Sequence, residues 1–164
     1  EFEVYEQEPF ELTSQIMDEL DFILQESTRI MNNSKFVVGF FSSYDVHKVC
    51  SEASKESSKD DFYINRTYLT EIEASTTFHF EAENLLSEFD VVLLDVDSQR
   101  ISGVYQYMIE GLIKEYGMPY NGNDVPIENL YRYKEIKWFL QGFNEELIIS
   151  KQYQNITITL KDAY

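Results

Sequence analysis

Two aspartates with one residue between them, Asp95 and Asp97, close the clearest strand-like run of the chain, Asp90-Val91-Val92-Leu93-Leu94-Asp95-Val96-Asp97. On an extended backbone, residues two apart project to the same side, so the pair can share one hard cation, calcium or magnesium, through carboxylate oxygens. The run itself reads as a buried parallel strand, and a carboxylate at the C-terminal end of such a strand stands where α/β folds hold ligands. The competing reading is plainer: the two aspartates end a strand and open a turn. Little else assembles chemistry. The histidines, His47 and His79, each lack a second His, Cys or Glu at the local spacing that defines a transition-metal site. A single cysteine, Cys50, excludes an internal disulfide, a CxxC pair and a cysteine-based zinc site. No P-loop, GxGxxG or GxSxG occurs, so neither a catalytic residue nor a resident cofactor is expected.

These residues must be positioned by a chain of 164 residues, long enough for one compact domain. With 12 Tyr, 12 Phe and 1 Trp it is too aromatic for a disordered acidic tail. Its 30 Asp and Glu against 13 Lys and Arg give a formal charge of −17, which argues against direct nucleic-acid binding and for a partner with a basic surface. No apolar run reaches the ~20 residues of a membrane-spanning helix, so membrane insertion is not expected. Three sequons (Asn32-Asn33-Ser34, Asn65-Arg66-Thr67, Asn155-Ile156-Thr157) fit a chain of the secretory pathway or ER lumen, and a first residue other than Met fits either a processed chain or an excised fragment.

Along the chain, residues 1–12 read as an acidic arm. Ile16, Leu20, Ile23, Leu24 and Ile30 recur at helical spacing, with Thr13 or Ser14 as cap. The run KFVVGFF from Lys35 to Phe41 reads as a central strand buried on both faces, followed by a helix over 46–57. Alternation over Phe62–Tyr68 predicts another strand, and Glu81–Glu88 a short helix. After the DVVLLDV strand, Ile101–Val104 reads as a return strand and Tyr105–Tyr116 as a helix. The Pro- and Gly-bearing loop from Gly117 to Pro126 is the expected boundary between a core of residues 13–117 and an extension of residues 118–164. That extension is predicted to hold a helix over Ile127–Phe143 whose apolar residues cover more than one face, then two short strands, Leu147–Ile149 and Ile156–Leu160. The whole is expected to be α/β, a mixed sheet sandwiched by helices.

Three resemblances attach to these segments. Asp95, with Gly103 eight residues on, resembles the phosphoacceptor strand of response-regulator receiver domains, although Ser42-Ser43 stands where receivers carry a magnesium-binding acidic pair. Asp95-Val96-Asp97 is also similar to the DxD of haloacid-dehalogenase phosphatases, which implies a nucleophile and an acid–base partner, with Gln99 where that motif carries Thr or Val. Over about residues 13–117, VVGFF, a helix and Asp60-Asp61-Phe62 resemble a thioredoxin-like domain, most nearly the redox-inactive b-type domains of protein disulfide isomerases. Ser42-Ser43-Tyr44-Asp45 then occupies the place of the redox cysteines, which implies a chaperone-like scaffold without thiol exchange.

The expected function is therefore non-catalytic protein binding, through the acidic surface and through Tyr131, Tyr133, Trp138 and Phe139 on the C-terminal helix. The alternatives are a cation-dependent phosphoryl-transfer or receiver-like domain centred on Asp95 and Asp97, and an acidic inhibitor that mimics nucleic acid.

Overall fold

A computed structural model of the chain describes residues 12–33, 35–37, 40–42, 62–82, 85–120, 126–140 and 145–162. The acidic arm up to residue 11, the helix expected over 46–57, His47 and Cys50 lie outside them. Helix α1 runs over Ser14–Asn33 and helix α2 over Ile101–Tyr116, with a single turn, α3, at Ile127–Leu130. The strands are β1 (Lys35–Val37), β2 (Phe40–Ser42), β3 (Phe62–Tyr68), β4 (Glu73–Ala82), β5 (Leu85–Leu94), β6 (Glu135–Leu140), β7 (Glu145–Gln152) and β8 (Asn155–Asp162). They form one sheet in the order β3-β4-β5-β8-β7-β6, and the β1–β2 hairpin continues the β8 side of β5 at Leu85 and Leu86.

The fold is α/β in its elements, but every described strand pair is antiparallel. The DVVLLDV strand is thus corrected from a parallel to an antiparallel neighbour on both sides, and the thioredoxin-like order gains no specific support. KFVVGFF is not one buried strand: Lys35–Val37 and Phe40–Ser42 pair with each other. Of the helix expected over Glu81–Glu88, Glu81 and Ala82 end β4 and Leu85 to Glu88 begin β5, because pairing across the sheet overrides the helical propensity of Glu, Ala and Leu there. Ile101–Val104 opens α2 and is not a strand.

The largest correction falls on Ile127–Phe143. Among the described residues of that span Ile127–Leu130 alone is helical, and Glu135–Leu140 is strand β6. Apolar side chains on two helix faces were the sign of the wrong period. In steps of two, Ile136 and Trp138 point to the core, while Lys137 and Phe139 lie half-buried on the opposite side. Strands β6 to β8 then join the sheet through the β8–β5 ladder.

Register explains the core. Trp138, Leu147, Leu160, Phe89 and Phe78 form one continuous cross-strand row, all buried. Ile136, Ile149, Ile158 and Val91 form the next. Onto this face pack Ile16, Leu20 and Ile23 of α1 and Val104, Met108 and Leu112 of α2, in a single apolar cluster. The helices approach closely at Gly111, where an added Cβ would lie 2.5 Å from Leu24 Cδ1. Ile16, Leu20, Ile23 and Leu24 of the stripe that predicted α1 are buried, and Thr13 Oγ1 caps the helix by accepting the Ile16 N–H at 3.2 Å.

The β7–β8 hairpin carries one strained residue. Gln152 pairs with Asn155, so Tyr153-Gln154 is a two-residue turn, and Tyr153 has φ of 55° with its side chain 90% exposed. A left-handed conformation costs an L-residue about 1–2 kcal/mol, and glycine escapes that cost. Tyr153→Gly is expected to raise stability by about 0.5–1 kcal/mol after the greater freedom of the unfolded glycine is counted, read as a higher urea midpoint. A lower midpoint would mean that the exposed ring stabilises the turn.

Candidate functional site

The face of the sheet opposite the helices is polar and half-exposed. Its cross-strand rows follow from the same register: Thr77, Asp90, Thr159, Ile148 and Lys137 in one, His79, Glu88, Lys161, Glu146 and Phe139 in the next. Where the two rows meet on β4 and β5, His79, Glu88 and Asp90 converge. His79 Nε2 lies 3.2 Å from Asp90 Oδ2 and 4.0 Å from Glu88 Oε2. Thr159 on β8 donates its hydroxyl to Asp90 Oδ1 at 2.6 Å, fixing that carboxylate from the other side.

The two carboxyl groups are driven apart in acidity. Burial of Glu88, its hydrogen bond with Asp90 and that neighbour's negative charge push its carboxyl up to about 7, against the pull of His79 and Lys161. Burial also opposes the charge on Asp90, but the bonds from His79, Glu88 and Thr159 outweigh it and hold this carboxyl below the usual range. As the pH falls, the pair therefore takes up its proton on Glu88 first, with Asp90 as the anion. Chemically the trio can exchange that proton or hold a cation: an imidazole nitrogen and two carboxylate oxygens stand within 4.8 Å of one another.

Local spacing could not reveal this site. His79 meets Glu88 and Asp90 from the neighbouring strand, eleven residues away in the case of Asp90. The available signal was the alternation Glu88-x-Asp90 facing a histidine-bearing strand, and reading Glu81–Glu88 as helix concealed it.

Asp95 and Asp97 stand just past the end of strand β5. Strand β5 ends at Leu94, and Asp95 has φ of 50°, so the extended geometry that would have aligned the two carboxylates is broken between them. Asp95 donates its N–H to Asn155 Oδ1. Asp97 Oδ1 accepts the Gln99 N–H at 2.8 Å, and its carbonyl accepts the N–H groups of Arg100 and Ile101 as α2 begins. These are turn roles. The four aromatic residues expected on one helix do not share a face. Trp138 is in the core, with its indole N–H donating to the Gly117 carbonyl at 2.7 Å. Phe139 lies on the polar side in edge contact with exposed Tyr120, ring centroids 4.9 Å apart. Tyr131 donates to Glu110, and Tyr133 is exposed while its carbonyl accepts the Tyr105 hydroxyl.

Among the described residues no helix is long and apolar enough to cross a membrane. No protein-family model matches the sequence, and no curated protein does. Among solved structures, the chain is similar to a DUF4309 family protein, YjgB, from Bacillus subtilis, with a TM-score of 0.42 and 17% identity over 89% of this chain and 97% of that one.

Proposed function

We propose that this protein is a non-enzymatic binding domain that meets a protein partner of basic surface through the polar face of its sheet. The observation that supports the reading is the division of labour between faces. Trp138, Leu147, Leu160, Phe89 and Phe78 are spent on the helix-covered core, and the opposite face presents Glu73, Glu88, Asp90, Glu135 and Glu146 around Lys137 and Lys161. Within a chain of charge −17, such a face draws a cationic partner and sets its orientation. Phe139, Tyr120 and Tyr133 would supply the aromatic contacts at its β6 side. A thioredoxin-like scaffold without redox cysteines is the finer form of this proposal, and the binding role stands without it.

The test is fluorescence anisotropy of a labelled Lys/Arg-rich peptide at low and high salt. Binding should weaken steeply with salt. Charge reversal on the polar face (Glu73→Lys with Glu135→Lys) should weaken it several-fold more than reversal at exposed Asp18 and Glu128 on the helical side. Equal losses from both pairs would sink the assignment to this face.

A further inference from the structure

The trio at the meeting of β4 and β5 supports a step that does not depend on any protein partner. We propose that His79, Glu88 and Asp90 bind a first-row divalent transition ion, with zinc as the reference case, through one imidazole nitrogen and two carboxylate oxygens.

The geometry is close to that of a ligand set. Around a tetrahedral ion with N and O bonds of about 2.0–2.1 Å, neighbouring ligand atoms stand roughly 3.3 Å apart. The 3.2 Å between His79 Nε2 and Asp90 Oδ2 already meets this, and the 4.0 Å to Glu88 Oε2 is within reach of a side-chain rotation. His79 and Glu88 are directly paired in the ladder, and Asp90 is two residues along the same face of β5. The β4–β5 register shifts between His79 and Phe80, a bulge of the kind that re-aims a neighbouring side chain. Thr159 holds Asp90 Oδ1 and leaves Oδ2 toward the imidazole, the arrangement by which an outer residue orients a ligating carboxylate.

Ligand chemistry selects the ion. Calcium asks for six to eight oxygens and magnesium for near-octahedral oxygen, and an imidazole suits neither. One nitrogen and two carboxylates suit zinc, manganese or ferrous iron. The side chains of His79 and Glu88 remain 35% and 37% exposed, so solvent can reach a fourth position. Lys161 pairs with Glu88 across β5 and β8 and offsets part of the ligand charge, so the site should be weaker than a structural zinc site.

The experiment is calorimetric titration of the chelator-treated chain with zinc chloride, beside the visible spectrum of the cobalt-loaded chain. Saturable zinc binding is expected, with cobalt bands of a low-coordinate site. His79→Asn should weaken zinc at least tenfold and abolish the bands, and Thr159→Val should weaken zinc about tenfold with little change in fold by circular dichroism. The double variant Asp95→Asn, Asp97→Asn should bind as the parent does. A general acidic atmosphere would leave His79→Asn unchanged, and a site at the end of β5 would be lost in the Asp95/Asp97 double variant. Either result overturns the proposal, as does an absence of saturable zinc binding. Because His79 is partly exposed, its Asn variant should fold, and it keeps the test open if an Asp90 variant does not.

Discussion

Trp138→Ala is expected to unfold most of the chain under conditions that leave Phe139→Ala folded. The two residues are adjacent on β6 and differ only in which way they point. Trp138 is 2% exposed and sits at the β6 end of the row that runs through Leu147, Leu160, Phe89 and Phe78. Removing a buried aromatic of this size costs about 3–5 kcal/mol, partly in lost transfer energy and partly in the cavity left behind. The Gly117 carbonyl, which accepts the indole N–H at 2.7 Å, also loses its bond. That carbonyl belongs to a glycine at φ 84° that ends α2, so the change loosens the exit of the helix as well as the sheet. Against a total stability of about 5–15 kcal/mol, such a loss dominates. Phe139, by contrast, gives up an edge contact with exposed Tyr120 and a Lys137 ammonium 5.7 Å from its ring, together about 1 kcal/mol. Urea denaturation followed by far-ultraviolet circular dichroism measures both, since the Ala variant at 138 removes the sole tryptophan fluorophore. Equal midpoints for the two variants would mean that β6 does not alternate as described.

The same alternation shows what could be read from the sequence and what could not. Helices α1 and α2 were legible because Ile16, Leu20, Ile23 and Leu24, and Tyr105, Met108, Ile109 and Leu112, keep one stripe that the sheet buries. Strand β3 was legible from the alternation of its sequence, and β8 because buried Ile156, Ile158 and Leu160 alternate with half-exposed Thr157 and Thr159. Strand β6 was not, since its solvent-side Phe139 is as apolar as its core-side Trp138, and a mixed pattern then fits a helix packed on two sides. Strand β5 was recognised, but its direction was not, because a fully apolar run looks the same in a parallel and an antiparallel sheet. Over residues 88–94, Phe89, Val91 and Leu93 are buried, while Val92 and Leu94 lie half-exposed. The candidate site was hidden for a related reason. Its residues meet through the register of a hairpin, and register depends on where the turn falls, which composition does not state.

Glu19→Ala is expected to cost about 3 kcal/mol, more than any surface ion pair here would. Glu19 lies among the core residues of α1 and is 5% exposed. Its Oε1 accepts the backbone N–H groups of Glu71 at 2.8 Å and Ile72 at 2.9 Å, and its Oε2 accepts the Gln15 amide at 2.6 Å. Those backbone groups belong to the tight connection between β3 and β4, which is closed by the Leu69 N–H donating to the Ile72 carbonyl. One carboxylate thus fastens α1 to the turn of a hairpin that it could not otherwise reach. Alanine would leave two N–H groups without their acceptor, each worth about 1–3 kcal/mol when buried, whereas the nearby Arg100–Glu71 pair at 3.1 Å is partly exposed and worth less than about 1 kcal/mol. Burial works against the charge on Glu19, but the three donors outweigh it and hold the carboxyl below its ordinary range. Its stabilisation is therefore complete above the unfolded value of about 4.3 and is lost as the pH falls through the lower folded one. Glu19→Gln keeps one acceptor oxygen without the charge and should cost about 1–2 kcal/mol at neutral pH. The gap between parent and Gln variant, measured by urea unfolding across acid pH, should hold steady down to about pH 5 and then close. A gap that stays constant into strong acid would show that the charge of Glu19 contributes nothing, and that only its shape secures the hairpin.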